Sequence, residues 1–319
     1  MSIRDNLDIS AYLVLGPENT LGRPVGDVVA QALDAGFTCI QVRSKVASAR
    51  EIIALTGDAA QAIAQAGKTG QVALLIDDRL DCVLAAREQG IAVDGVHVGQ
   101  SDIPVEVCRK LLGPNAIVGL SARCEEMLEY VKTADMSLVD YLGIGPLHET
   151  ETKRDCGRAA DGSIITKSFE DLAALHAASP VPIVVGGGVK TADLPQLKAT
   201  GVDGFFVVSA VCSADDPYAA AKELDSTIGE LIKIRASQIN HCAFCLDMHV
   251  KEAKIHGESE LRLHHVAIWH ESNLFEPRER AALAAVREPI ADPHAAALRC
   301  AARRRAFPTA DAATRRAAA

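Results

Sequence analysis

Eight short apolar segments recur along the first two thirds of the chain, and they restrict the fold more than any other feature of the sequence. They span residues 12–15, 39–42, 72–76, 95–98, 117–120, 141–145, 183–185 and 205–208. Such runs are typical of parallel strands buried on both faces, and intervals of roughly 20–30 residues leave room for a crossover helix each time. Eight repeated βα units predict an α/β fold, a (β/α)8 TIM barrel.

Helical patterns fill the intervals between the apolar segments. We expect helices over 48–66, 80–89, 104–112, 123–133 and 169–177, and a closing helix over 218–224. Pro104 suits the first turn of its helix, where the missing amide donor is not needed. The closing helix completes the barrel, so we predict one barrel domain over residues 1–223.

The remainder of the chain differs in composition from the barrel region. Residues 224–285 show helical periodicity around a Cys-x-x-Cys sequence, and we predict a short all-helical segment there. From Val286 onward Ala and Arg dominate, and no sustained apolar face is present. We therefore expect residues 286–319 to form a disordered tail whose arginines are solvated.

Composition and charge argue against several classes of protein. Of the 319 residues 49% are hydrophobic, and the formal net charge of −9 argues against nucleic-acid binding as a main role. Apolar runs stay below the ~20 residues that span a bilayer, and the polar start lacks the apolar stretch of a signal peptide. We expect a cytoplasmic protein without membrane or nucleic-acid partners, whose nine cysteines are reduced thiols. Homo-oligomerisation is left open.

Cationic side chains follow two of the predicted strands at the point where each strand ends. Arg43 and Lys45 follow the second apolar segment, and Lys153 follows the sixth. In a barrel the carboxyl ends of all strands meet at one mouth, where the active site is built. Three cations gathered in such a cleft favour a ligand with a diphosphate or polyphosphate group.

Further anion-binding groups follow the last three strands. Glycines at 186–188 allow the backbone to approach a phosphate closely, and Ser209 follows the eighth segment. The loops after strands seven and eight are therefore expected to form a phosphate pocket. Thr150 and Thr152 add hydroxyl donors, so the mouth has the groups to hold two phosphorylated ligands.

Two carboxylates follow neighbouring strands of the predicted barrel. Asp78 follows the third segment and Asp102 the fourth. Beside phosphate-binding cations, paired carboxylates are typical Mg²⁺ ligands, because Mg²⁺ takes one or two carboxylates and completes its shell with water and substrate phosphates. The alternative is that the sequence 77–79, Asp-Asp-Arg, is only a helix cap with a local ion pair.

Taken in order, the strand-end residues form a series of motifs: Gln41-Val-Arg43-Ser-Lys45, Asp78-Arg79, His97-Val-Gly-Gln100-Ser-Asp102, Gly119-Leu-Ser121, Gly145-Pro146, Thr150-Glu151-Thr152-Lys153, Gly187-Gly188 and Val208-Ser209. This series resembles that of the thiamine-phosphate synthase family over about residues 10–222. The resemblance implies a Mg²⁺-dependent transferase that joins hydroxymethylpyrimidine diphosphate to thiazole phosphate. Pyrophosphate departs first and leaves a pyrimidine-stabilised carbocation, which the thiazole nitrogen captures.

The resemblance also implies roles for individual residues. Asp78 and Asp102 would bind Mg²⁺, and the catalytic residues would be Arg43, Lys45, Ser121 and Lys153. The pyrimidine diphosphate would be held by Gln41, Val42, Arg43, Ser44, Lys45, Ser121 and Lys153. The thiazole phosphate would be held by Thr150, Thr152, Gly188, Val208 and Ser209. Asp77 and Glu151 would also take part in substrate binding.

The chain departs from the family pattern at two places. The family commonly has Asn where this chain has Asp77, and an extra carboxylate there would repel a diphosphate unless it joins the metal shell or is protonated. The family's loop before the threonines often reads Pro-Thr, whereas this chain has His148 and Glu149 before Thr150. Neither departure removes one of the proposed ligands.

The helical segment carries a second constellation. Cys245 and His249 are four residues apart, hence on one helical face, and Cys242 and Glu230 lie upstream. With Trp269 and Arg280, this pattern resembles the carboxymuconolactone decarboxylase and AhpD-like alkylhydroperoxidase family over about residues 224–285. The resemblance implies a peroxide-reducing dithiol in which Cys245 attacks, Cys242 resolves, and Glu230 and His249 relay protons.

Other functions stay open at this point. Zinc could bind Cys242, Cys245 and His249, with a fourth ligand from the candidates His256, His264 and His265. The helical segment could equally be vestigial or serve oligomerisation. The chain as a whole could be a redox protein on a barrel scaffold, or a barrel that binds thiazole phosphate or thiamine phosphate without catalysis. The cations and carboxylates at the mouth favour the synthase, because a simple binder needs neither a metal nor a diphosphate clamp.

Overall fold

The structure, a computed structural model, describes residues 3–121, 127–149, 165–224, 226–255, 258–275, 279–280, 283–284 and 286. Its contacts divide the chain into two units, residues 1–225 and 226–319, and each is described by itself. Of the predicted tail, all residues except Val286 lie outside the described ones.

Eight parallel strands close into a barrel in chain order, which confirms the predicted (β/α)8 fold. The observed ends differ from the predicted ones by at most one residue, because each strand is a nearly continuous apolar run that can be buried on both faces. The strands are β1 Ala11–Leu15, β2 Cys39–Val42, β3 Ala73–Asp77, β4 Gly95–Val98, β5 Ile117–Ser121, β6 Tyr141–Ile144, β7 Ile183–Val185 and β8 Gly204–Val207.

Helices follow the strands and cover the outside of the barrel. They are α1 Val25–Ala35, α2 Ala49–Gln65, α3 Leu80–Glu88, α4 Val105–Leu112, α5 Met127–Thr133, α6 Phe169–Ala178, α7 Leu194–Ala199, α8 Ser209–Cys212 and α9 Pro217–Leu224. The start of α2 is fixed by a capping box, in which Ser48 accepts from the Glu51 amide and Glu51 accepts from the Ser48 amide. The predicted helix over 123–133 is seen from Met127, and residues 122–126 lie outside the described part.

Alternate residues of each strand face opposite sides of the barrel wall, as the period of two in a strand requires. In β1, Leu13 and Leu15 pack in the core shared with the helices, whereas Tyr12 and Val14 pack inside the barrel. The interior core also takes side chains from the other strands, among them Cys39 of β2 and Tyr141 of β6. A polar residue at an inward position near a strand end therefore faces the interior or the mouth.

The second unit is all-helical in its described part, as the periodicity predicts. It consists of α10 Ser226–Ile239, α11 Ala243–Ile255 and α12 Glu260–His265, followed by a single 3₁₀ turn at Val266–Ile268. Its core contains Leu231, Ile234, Ala253, Leu263, Val266, Phe275 and Leu283. Of the described helices in both units, none is both long enough and apolar enough to cross a bilayer.

Candidate active site

The ends of β2 and β3 bring two cations against two carboxylates at the mouth of the barrel. Arg43 Nε lies 3.0 Å from Asp77 Oδ2, and Lys45 Nζ lies 3.6 Å from the same oxygen. Lys45 also forms an ion pair with Asp78. Charge-assisted contacts of this kind hold cationic side chains in place before a ligand arrives. Two of the three cations predicted to bind a diphosphate, Arg43 and Lys45, are thus gathered in one cluster with Asp78, one of the two predicted metal-binding carboxylates.

The conformation of Asp78 differs from that of a residue in a simple helix cap. Asp78 has a positive φ of 58°, and its amide donates to the His97 carbonyl at 2.7 Å. The N-cap position of α3 is occupied by Arg79, which makes no side-chain capping hydrogen bond and pairs with Asp81 at 2.6 Å. Burial would raise the pKa of Asp78, but the Lys45 ammonium lowers it below the ordinary value. Asp78 is therefore an ionised carboxylate directed at the cation cluster.

The carboxyl group of Asp102 lies beside that of Asp78. Its Oδ2 accepts from the Gly99 amide at 2.8 Å, which orients it in the loop after β4. Burial and the neighbouring Asp78 carboxylate raise the pKa of Asp102. Two adjacent carboxylates next to the Arg43 and Lys45 cations form a donor set that fits Mg²⁺.

A continuous chain of hydrogen bonds crosses the interior below this cluster. Tyr12 Oη lies 3.2 Å from Gln41 Oε1, to which it donates, and 2.8 Å from Tyr141 Oη. His97 bridges the other end, with Nδ1 2.9 Å from Tyr141 Oη and Nε2 2.9 Å from Ser121 Oγ. We refer to Gln41, Tyr12, Tyr141, His97 and Ser121 as the interior polar chain. It links the predicted substrate residues Gln41 and Ser121 across the barrel.

Burial keeps the interior polar chain uncharged at its centre. The side chains of Tyr12 and Tyr141 are completely buried, and this desolvation raises the pKa of both hydroxyls well above the ordinary value. The sequence motif that contains His97 gives this residue no role, and neither tyrosine stands out in the sequence. The positions of these three residues in the predicted strands could have indicated the hydrogen bonds between them, because polar groups at inward positions of β1, β4 and β6 must find partners inside the barrel.

The loop after β2 is held by an acidic residue that the sequence did not indicate. Glu18 Oε1 accepts from Ser44 Oγ at 2.6 Å and from the Lys45 amide at 3.0 Å. Although burial would raise the pKa of Glu18, these hydrogen bonds lower it below the ordinary value. Ser44 is thus engaged with the protein itself, and its contacts position the backbone of Lys45.

The loops after β6 and β7 approach each other closely, and the loop after β7 is one of the two that are expected to form the phosphate pocket. Gly187 and Gly188 have φ values of 81° and 76°, and the His148 amide donates to the Gly187 carbonyl at 3.0 Å. A Cβ at Gly188 would lie 2.9 Å from the His148 Cβ, so a side chain there would collide with the neighbouring loop. The His148 imidazole is held by Asp193, with Nε2 3.0 Å from Oδ2.

Some predicted site residues are placed differently or are not described. The Val42 side chain is buried in the core shared with the helices, so only its main chain remains for a ligand. Val208 packs against the interior core, and the exposed Ser209 begins α8. The predicted ligands Thr150, Glu151, Thr152 and Lys153 lie outside the described residues.

The second unit places its predicted redox residues at the turn between α10 and α11. Cys242 and Cys245 form a disulfide, so the expectation that all nine cysteines are reduced is wrong for this pair. Because both sulfurs belong to the disulfide, neither can act as a thiolate ligand in the zinc site that the sequence left open. His249 Nδ1 lies 2.9 Å from Glu230 Oε2, as the resemblance implies for a proton relay. By contrast, Cys39, Cys82, Cys108 and Cys212 are free and buried.

Comparison with known proteins identifies the barrel. The family model for thiamine monophosphate synthase matches residues 11–211. The chain belongs to this family. It is 38% identical over 228 residues to the thiamine-phosphate synthase of Corynebacterium efficiens, covering 72% of this chain and 99% of that protein. Identity to the thiamine-phosphate synthase of Vibrio campbellii is also 38%, over 216 residues that cover 67% of this chain and 95% of the relative.

A solved structure supports membership of the thiamine monophosphate synthase family. Thiamine phosphate pyrophosphorylase from Pyrococcus furiosus superposes with a TM-score of 0.55 at 31% identity, covering 70% of this chain and 96% of that one. Membership makes this chain an enzyme, a transferase of thiamine biosynthesis. A second family model, carboxymuconolactone decarboxylase, matches residues 211–288, which include α10, α11 and α12. Both predicted resemblances are confirmed.

Proposed function

We propose that the barrel joins hydroxymethylpyrimidine diphosphate to thiazole phosphate in a Mg²⁺-dependent reaction. The carbon–oxygen bond to the diphosphate breaks, and its electron pair leaves with pyrophosphate. The thiazole nitrogen then donates its lone pair to the pyrimidine methylene carbon, which forms the carbon–nitrogen bond of thiamine phosphate. The observation that carries this proposal is the convergence of Arg43 and Lys45 on Asp77 and Asp78 at the mouth.

The cations have a direct role in this reaction. Arg43 and Lys45 are positioned by carboxylates in the free enzyme, and a diphosphate offers them competing anionic oxygens. Their charge would stabilise the negative charge that develops on the leaving pyrophosphate. Asp78 and Asp102 would hold Mg²⁺, which when bound supplies further positive charge to the leaving group. Nothing in this scheme requires a side-chain nucleophile.

The interior polar chain would orient the pyrimidine and the diphosphate together. Gln41 lies at one end with its amide fixed by Tyr12 and Asp77, and Ser121 lies at the other with its hydroxyl fixed by His97. Because Gln41 and Ser121 are already held in place, their side chains lose little conformational freedom when the substrate binds. This positioning lowers the activation free energy of the reaction. The phosphate group of thiazole phosphate would bind at Gly188 and Ser209, which follow β7 and β8 at the mouth of the barrel. Thr150, Thr152 and Lys153 receive their roles from the family resemblance.

The deciding experiment is a coupling assay with the two purified substrates and Mg²⁺. We expect wild-type protein to form thiamine phosphate, and EDTA, Asp78→Ala and Lys45→Ala each to lower the rate by at least about a hundredfold. Lys153 lies outside the described residues, and we expect Lys153→Ala to lower the rate to a similar extent. Matched controls are Asp34→Ala and Lys110→Ala, because both residues are exposed and lie at the opposite end of the barrel. A folded wild-type protein without product, but with bound thiazole phosphate, would instead identify a non-catalytic binder.

A second activity is proposed for the helical unit, a dithiol that reduces peroxides. It is favoured by the disulfide at Cys242 and Cys245 together with the Glu230–His249 contact. In the reduced protein the Cys245 thiolate would attack a peroxide oxygen, forming a sulfenic acid and releasing water or an alcohol. Cys242 would then displace water to close the disulfide, and an external dithiol would reduce it again.

Peroxide consumption with dithiothreitol as the reductant tests this second activity. We expect wild-type protein to consume an organic hydroperoxide and Cys245→Ser to lose this activity. Cys82→Ala is the control, since this thiol is buried in the barrel unit. Equal rates for wild type and Cys245→Ser would refute the proposal without affecting the synthase assay.

A further inference from the structure

One cluster of potential metal ligands in the helical unit is only partly explained by the two proposed activities. Within the part of the chain that the structure describes, Glu230, His249 and Glu252 each place one ligand atom within 4.8 Å of the other two. Glu230 comes from α10, and His249 and Glu252 are three residues apart on α11, hence on one face. The resemblance accounts for Glu230 and His249 but gives no role to Glu252.

The three side chains meet at a single nitrogen atom. His249 Nδ1 lies 2.9 Å from Glu230 Oε2 and 3.1 Å from Glu252 Oε2. An imidazole nitrogen carries at most one proton, so two carboxylates compete for one hydrogen bond. Glu230 is 4% exposed and His249 9% exposed, so these two groups have little access to water as an alternative partner. A divalent cation at this point would satisfy all three atoms at once.

The separations between these atoms suit a transition-metal ion. Bonds of about 2.0–2.2 Å from Zn²⁺ to nitrogen and oxygen place the ligand atoms of a tetrahedral site about 3.3 Å apart. The observed nitrogen–oxygen distances of 2.9 and 3.1 Å need only a small expansion to reach that value. The other oxygen of Glu230 is already paired with Lys233, which leaves Oε2 to point at the imidazole.

We propose that Glu230, His249 and Glu252 form a binding site for a divalent transition-metal ion of the Zn²⁺ type. The imidazole ligand selects such an ion over Mg²⁺ or Ca²⁺, which prefer oxygen-only sites. Three protein ligands leave a fourth position open to water or a small anion. The site contains no sulfur, so it is compatible with the disulfide between Cys242 and Cys245.

A filled site would also affect the proposed peroxide chemistry. The metal would occupy His249 Nδ1 and Glu230 Oε2, the atoms that form the proposed proton relay. Metal binding and proton transfer would then exclude each other, so Zn²⁺ would inhibit peroxide reduction. This consequence rests on the proposed second activity, whereas the binding site itself does not.

Zinc titration of the full-length, disulfide-bonded protein against a chromophoric chelator tests the site. We expect wild-type protein to bind one more tight equivalent of Zn²⁺ than Glu252→Gln, whose affinity at this site should fall at least about tenfold. The Glu252 side chain is 44% exposed, so this substitution leaves the fold intact. Asp247→Asn is the matched control, because Asp247 is an exposed carboxylate of the same helix that pairs with Lys251. Identical binding by wild type and Glu252→Gln would overturn the proposal.

X-ray absorption at the zinc edge gives an independent readout. A first shell of nitrogen and oxygen that is altered in Glu252→Gln is the expected result. A sulfur scatterer would overturn the proposal, since it would assign the ion to cysteine. If Zn²⁺ binds as expected but peroxide is never consumed, the metal site stands and only the second activity fails.

Discussion

Gln41 donates from Nε2 to Asp77 Oδ1 at 2.7 Å, and the other oxygen of the same carboxylate faces Arg43 at 3.0 Å. Asp77 therefore connects the interior polar chain to the cation cluster. From the sequence, this carboxylate was expected to repel a diphosphate unless it joined a metal shell or was protonated. The structure gives a third arrangement, in which Arg43 and Lys45 balance its charge.

Asp77→Asn should improve binding of the pyrimidine diphosphate. Asn keeps an acceptor for Gln41 but removes the negative charge that competes with substrate for Arg43, so we expect the KM for this substrate to fall about three- to tenfold. Steady-state kinetics with each substrate varied in turn measures the effect. Asp77→Ala is the contrasting variant, because it leaves the Gln41 amide without its acceptor and should lower kcat. A higher KM in Asp77→Asn would show that the carboxylate itself is needed for binding.

Tyr141→Phe should disrupt the interior polar chain at its centre. The lost hydroxyl is a partner of both Tyr12 and His97, so we expect a decrease of about 1–3 kcal/mol in the free energy of unfolding. The release of His97 should also lower kcat, because Ser121 loses its fixed orientation. Urea unfolding and the coupling assay measure the two effects. Tyr130→Phe, a change to a half-buried tyrosine of α5, should alter neither.

Glu18→Gln should weaken the loop after β2 in a pH-dependent way. The folded-state pKa of Glu18 lies below its ordinary value of 4.5. Its stabilising contribution is therefore complete above that pH and is lost as the pH falls through the folded-state pKa. Since much of Glu18 is exposed, solvent screening limits the loss in Glu18→Gln to about 0.5–1 kcal/mol at pH 7.

Urea unfolding of wild type and Glu18→Gln at a series of pH values checks this expectation. The difference between the two proteins should shrink toward zero as the solution is made more acidic than pH 4.5. A difference that stays constant down to strongly acidic pH would mean that the glutamate charge contributes nothing to stability.

His148→Ala should affect one substrate and not the other. His148 packs against Gly188 and is held by Asp193, so its removal should loosen the proposed thiazole phosphate pocket. We expect the KM for thiazole phosphate to rise about three- to tenfold, with the KM for the pyrimidine diphosphate unchanged within about twofold. His176→Ala is the control, because this histidine lies in the last turn of α6 at the opposite end of the barrel. Equal increases in both KM values would contradict a local role for His148.

The strands could be predicted from the sequence because each one coincides with a local run of apolar residues. A buried apolar run such as 39–42 is visible without knowledge of its neighbours, and the end of the run indicates where Arg43 and Lys45 must lie. The convergence of these cations with Asp78 likewise follows from the rule that parallel strands end at one mouth.

The partners of individual polar groups could not be predicted in the same way. The contact between Tyr12 and Tyr141 joins the first and sixth strands, so it depends on the closure and register of the whole barrel. The pairing of Asp77 with Arg43 depends on side-chain geometry across two strands. The proximity of Glu252 to Glu230 depends on the packing of α11 against α10, although its proximity to His249 follows from their spacing on one helix. For groups on different strands or helices, spacing along the chain gives no information about the distance between them.

Tyr141, at the centre of the interior polar chain, lies against a glycine of the neighbouring strand, which has no side chain. Gly119 is the register neighbour of Tyr141, and a Cβ at Gly119 would lie 2.3 Å from Tyr141 Cζ and 2.4 Å from its hydroxyl. A single methyl group would therefore push that hydroxyl away from Tyr12 and His97. During evolution, a residue larger than glycine at position 119 and a tyrosine at position 141 should exclude each other. A replacement of Gly119 would then require an earlier or simultaneous replacement of Tyr141, which fixes the order in which the two strands can diverge.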